Sequence, residues 1–201
     1  MPVSVPDSLV LTWKGPYAPA SVLPGDLPLS SLPTGGGVYL WTAAINGVPH
    51  VIEVGQTVGL RSYLSGHRTK TRQGEYYIYD PVALGQGRVV TVHRNTRGGP
   101  MLSGVNLADI AERFLSTVRF YVAEVPDPTP GSGQEDRKIY SRLLKRVEAG
   151  VAAHIAMDPS ATAIFAPTRS QYYPRREGES RITVHMAMGQ PIAGLAGSLQ
   201  A

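Results

Sequence analysis

The dipeptide Asn46-Gly47 lies between two β-rich runs, Val38-Tyr39-Leu40-Trp41-Thr42 before it and Val48-Pro49-His50-Val51-Ile52-Glu53-Val54-Gly55 after it. A two-residue hairpin turn of the favoured type needs positive φ at both central positions, which Asn and Gly adopt with least strain. The pattern predicts an antiparallel hairpin entered from the flexible Gly35-Gly36-Gly37. Every later element must pack on this pair or extend its sheet.

Beyond the hairpin, the Leu60/Leu64 spacing predicts a short helix ending near Gly66. A long basic loop follows over about 68–104, with one strand at Arg88-Val89-Val90-Thr91-Val92. Asn106 caps a helix whose apolar face is Leu107, Ile110, Ala111, Phe114 and Leu115. Phe120 to Val125 reads as a strand, and Glu135 to His154 as the longest helix, with Ile139, Leu143, Leu144, Val147 and Val151 on one face and Arg142, Lys145 and Arg146 among its polar positions. Arg181 to Met186 is a late strand and Pro191 to Leu195 a closing segment. Residues 1–35 hold seven prolines and read as an extended proline-rich arm on the surface, with at most a short strand at Leu9 to Trp13. The expected fold class is α+β: a small mixed or antiparallel β-sheet flanked by helices, formed by a single domain over 36–201 with a basic insertion at about 68–104.

Composition narrows the chemistry. With 42% apolar and 17% charged residues in 201, the chain has material for a core and is not globally disordered. The longest uncharged run, Leu27 to Ile52, is broken by prolines and glycines, so no membrane span is expected. The first twenty residues lack a basic start followed by an apolar stretch, which predicts a cytoplasmic protein. Absence of cysteine excludes disulfides, zinc ribbons and thiol nucleophiles. The five histidines show no HxxxH or HxH spacing, and there is no phosphate-binding GxxxxGK[ST] loop.

Charge is uneven. Residues 61–97 carry seven cations (Arg61, Arg68, Lys70, Arg72, Arg88, Arg94 and Arg97) against Glu75 and Asp80, a local +5 in a chain whose net charge is +4. Such clustering points to a polyanion, and Arg68, Lys70, Arg72, Arg88, Arg94 and Arg97 are the candidate DNA-binding residues. A solvated, ion-paired surface loop is the plain structural alternative.

Gly37-Val38-Tyr39 on the first hairpin strand and Glu53-Val54-Gly55 on the second, followed by a helix with His67 and a later helix with Glu148, resemble the GIY-YIG nuclease superfamily. The resemblance covers about 36–155. Gly37-Val38-Tyr39 is a conservative form of the first motif; in the second, Glu53 stands where the family has Tyr, while Val54 and Gly55 fit. Alignment of the apolar residues puts Tyr63 at the family's arginine position, four residues before His67, and Arg61 is the nearest cation.

The resemblance implies a metal-dependent endonuclease hydrolysing DNA phosphodiester bonds, restriction-like in its stand-alone size. Glu148 would hold Mg²⁺ (or Mn²⁺), Tyr39 would bind or deprotonate water, Arg61 would stabilise charge and His67 would assist proton transfer, with Glu53 as an alternative base. A catalytically inactive nucleic-acid-binding protein on the same scaffold is the second expectation. Beside these roles stand structural ones: a core tyrosine for Tyr39, a surface or capping residue for His67, a helical ion pair for Glu148 and a solvent-facing edge position for Glu53.

Overall fold

The computed structural model describes residues 7–20, 23–94, 107–128, 133–159, 181–189, 191–195 and 197–201. It is an α+β fold built on one mixed sheet. Its strands are β1 (Ser8–Tyr17), β2 (Gly37–Ile45), β3 (Val48–Thr57), β6 (Val118–Glu124), β7 (Thr183–Met188) and β8 (Ser198–Gln200), in the spatial order β3-β2-β6-β1-β7-β8. The β1/β7 pair is parallel and the other neighbours are antiparallel. The helices are α1 (Leu60–Ser65), α2 (His67–Arg72), α3 (Pro81–Gly85), α4 (Leu107–Thr117) and α5 (Gln134–Met157), and β4 (Ile78–Tyr79) pairs with β5 (Thr91–His93) in a separate ribbon.

The hairpin forms as its turn residues require, with Asn46 at φ 50° and Gly47 at φ 80°. All residues of β2 from Gly37 to Ala43 are buried, because β2 is paired on both edges and covered on both faces. The two-residue period of the strands sorts side chains into two layers. Val38 and Leu40 join Leu9, Leu11, Trp13, Val51, Val54 and the α5 residues Leu143, Leu144, Val147 and Val151. Tyr39 and Trp41 turn the other way, with Phe120 and Val122, to meet Leu60 and Leu64 of α1 and Phe114 and Leu115 of α4.

Several elements differ from the sequence reading. The proline-rich arm was expected to lie on the surface, yet Ser8–Tyr17 is an interior strand between β6 and β7, burying Leu9, Leu11, Trp13 and Tyr17. Its alternating apolar residues find two long-range partners that local proline content conceals. The segment after Gly66 is not an open loop: α2 starts at His67, and Asp80 caps α3 by accepting from the backbone N–H groups of Val82 and Ala83 at 2.8 and 2.9 Å. The strand expected at 88–92 occupies Thr91–His93. Arg146 is buried rather than outward, and its Nη2 donates to the carbonyl of Ala201 at 3.1 Å. Asn106 and Arg97 lie outside the described residues. No helix of the described residues is long and apolar enough to cross a membrane.

Because Leu11 is fully buried within the sheet, Leu11→Ala is expected to cost about 2–5 kcal/mol of stability. Urea denaturation checks this; a surface arm would show a change within about 0.5 kcal/mol.

Candidate active site

The site is built where β2 and β3 run side by side. Tyr39 pairs across the ladder with Gly55, and its ring lies over that glycine. A Cβ at position 55 would overlap Cζ and the hydroxyl of Tyr39, so Gly55 is the steric condition for the phenol to extend over β3, the outermost strand.

Glu53 owes its direction to a bulge. Trp41 pairs with Glu53 while the next residue, Thr42, pairs with Val51, which leaves Ile52 as the extra residue. A bulge bends the strand and re-aims the flanking side chains. Glu53 thereby shares the face of Trp41 and Tyr39, and its charge acts on Tyr39, Tyr76, Tyr79 and Glu148. Burial pushes the Glu53 carboxyl up to about 7. Glu148 on α5, half-buried, is also pushed up to about 7, first by burial and then by Glu53, with the Lys145 ammonium opposing. Burial, the Glu53 carboxyl and the neighbouring Tyr63 together hold the Tyr39 phenol well above its usual range. Three groups from β2, β3 and α5 therefore meet electrostatically although they are remote in sequence.

An aromatic cage closes the other side. His67 is 1% exposed. Its ring stacks on Tyr76 at 4.5 Å and 4°, and meets Tyr63 at 4.8 Å, Trp41 at 5.2 Å, Phe120 at 5.6 Å and Tyr39 at 5.9 Å. Neither ring nitrogen has a hydrogen-bond partner among the described residues. Burial, reinforced by Lys70, lowers the His67 pKa to about 3. Burial thus favours the neutral ring, which is packed among aromatic side chains.

Among the other expected residues, Arg61 donates from Nε to the carbonyl of Leu32 at 2.7 Å, while Tyr63 makes the ring contact with Tyr39 at 5.7 Å. Arg68 binds Glu112 through Nε and Nη2 at 2.9 and 3.1 Å, and Arg72 joins the same carboxylate at 3.4 Å. These two cations face α4, which is the ion-paired alternative for that part of the basic segment. Arg88 donates to the Gln86 side chain at 2.6 Å, Arg94 is exposed, and Arg97 lies outside the described residues. Lys70 is drawn into the cage, its Nζ 5.9 Å from the centre of the Tyr63 ring. Sequence reasoning missed Tyr63 and Tyr76 as site residues. The four-residue spacing from Tyr63 to His67 was a usable signal, whereas the Tyr76 stack exists only in three dimensions.

No family model, curated protein or solved structure matches this chain.

No group of three His, Asp or Glu side chains among the described residues is placed to hold a metal. The Glu148 carboxyl nevertheless suits a hard, hydrated cation, since Mg²⁺ commonly takes one or two carboxylates and keeps its waters.

The raised carboxyls fix a pH dependence. In the folded state Glu53 and Glu148 hold protons that the unfolded chain releases near 4.5, so their contribution to stability is full below that value and is lost as pH rises through about 7. Glu53→Gln is therefore expected to gain stability over wild type between about pH 5 and 8, by up to about 3 kcal/mol. Thermal melts across that range check it; a difference independent of pH contradicts the burial of the charge.

Proposed function

We propose that this chain is a divalent-metal-dependent DNA endonuclease of GIY-YIG type. The observation that carries the reading is the placing of Tyr39 over Gly55 with Glu53 on the same face beside the bulge, and the electrostatic influence of Glu53 on Glu148 of α5 supports it. Hydrolysis of a phosphodiester needs a base for water, relief of charge on the phosphorus oxygens and help for the leaving oxygen. A carboxyl titrating near 7 is matched to the first task at neutral pH.

Glu53 is the general base in this reading, filling the position that the family gives to Tyr. It takes a proton from water as the water oxygen bonds to phosphorus and the bond to the departing sugar oxygen breaks. Tyr39 stays protonated and positions the water through its hydroxyl, since its raised pKa disfavours the phenolate. Glu148 would hold Mg²⁺ or Mn²⁺, which would supply positive charge to the phosphate. Lys70, with its Nζ 5.9 Å from the centre of the Tyr63 ring, offers charge stabilisation, while Arg61 is held by the Leu32 carbonyl.

A second reading, a nucleic-acid-binding protein without cleavage on the same scaffold, is favoured by one observation: Tyr63, not an arginine, faces Tyr39 and His67.

Plasmid nicking with Mg²⁺ or Mn²⁺ tests the proposal. Wild type is expected to cleave, chelator to abolish cleavage, and the rate to fall in acid as Glu53 gains a proton. Glu148→Ala and Glu53→Gln should each lower the rate by about 10²-fold or more, and Tyr39→Phe should lower it as well. Wild-type inactivity with retained DNA binding supports the second reading instead.

A further inference from the structure

The stretch expected to grip DNA is partly neutralised within the fold, since Arg68 and Arg72 converge on Glu112. A different cationic surface lies along the N-terminal half of α5. There an open groove of about 510 Å³ is lined by Arg137, Lys138, Arg142 and Lys145, with Glu135 the one acid among its described lining residues. Arg137, Lys138 and Lys145 are exposed. The Lys138 to Glu135 contact, 3.3 Å between side chains 64% and 76% exposed, is a weak solvent-screened pair.

Two further features orient the groove. Lys145 lines it and also acts on Glu148, one helical turn further on, so its C-terminal end opens toward the candidate active site. From Lys138 to Lys145 the helix rises about 10 Å, the axial length of about three nucleotides of one strand. Exposed cations at such a spacing suit a row of phosphates, and neither bases nor sequence need be read to bind there.

We propose that the α5 groove binds the sugar-phosphate backbone of DNA and leads it to Glu148. The inference rests on the nuclease reading but makes a separate claim: the main phosphate contacts come from α5, not from the basic 61–97 segment.

Fluorescence anisotropy of a labelled DNA duplex of about 30 base pairs, titrated with the full chain in metal-free buffer at several salt concentrations, tests it. Arg137→Ala/Lys138→Ala is expected to raise Kd about tenfold near 0.1 M salt and to make the log K against log salt slope shallower by about two. Arg68→Ala/Arg72→Ala, which removes the same charge from cations already paired with Glu112, should weaken binding less. If alanine at both positions disturbs folding, as circular dichroism would report, Arg137→Gln/Lys138→Gln keeps side-chain length and removes only the charge. Unchanged affinity and slope in a folded α5 variant overturn the groove while leaving the nuclease reading intact. A wild type that binds no duplex at low salt overturns both.

Discussion

Burial of β2 on both faces is the constraint on which the rest of the molecule depends. A strand paired on each edge and covered by α5 on one side and by α1 and α4 on the other has no solvent-facing row, so each of its residues from Gly37 to Ala43 must be apolar, small or engaged. Tyr39 and Trp41 meet that condition as large aromatic side chains in the layer of α1 and α4. The cage around His67 and the approach of Tyr39 across Gly55 both follow from this one placement.

Electrostatics work against that packing. Moving carboxyls out of water disfavours their charged form, and two such groups near each other disfavour it further. Glu53 accepts the first penalty and Glu148 accepts both. A bulge that sets a carboxyl beside Trp41 on a buried face has no benefit for stability, and perturbed titratable groups of this kind cluster at functional sites. His67 carries the opposite sign of the same effect: its lowered pKa keeps the ring neutral, which disfavours folding as pH falls from about 6.5 toward 3.

Much of the fold was legible locally. Asn46-Gly47 announces its turn through φ preference alone, and α5 announces itself through Leu143, Leu144, Val147 and Val151, since periodicity is a property of neighbouring residues. Glu148, Tyr39 and Glu53 were each visible as chemistry-bearing residues in hairpin and helix. A short strand at Leu9 to Trp13 was legible from its alternation, but not its place inside the sheet, because its partners β6 and β7 are far along the chain. Tyr76 and the pairing of Arg68 and Arg72 with Glu112 were illegible for the same reason.

Sequence alone determined the hairpin, the long amphipathic helix, the lack of thiol chemistry and the excess of positive charge, all of which depend on residue type and short-range spacing. Tertiary structure decided which charges face one another. It carried Glu148 to Glu53, buried His67 among five aromatic rings, and set Arg68 and Arg72 against α4 while leaving cations exposed along α5. The physical reason is that a charge's partners and its solvation depend on distance and burial through space, and neither is written in the order of the residues.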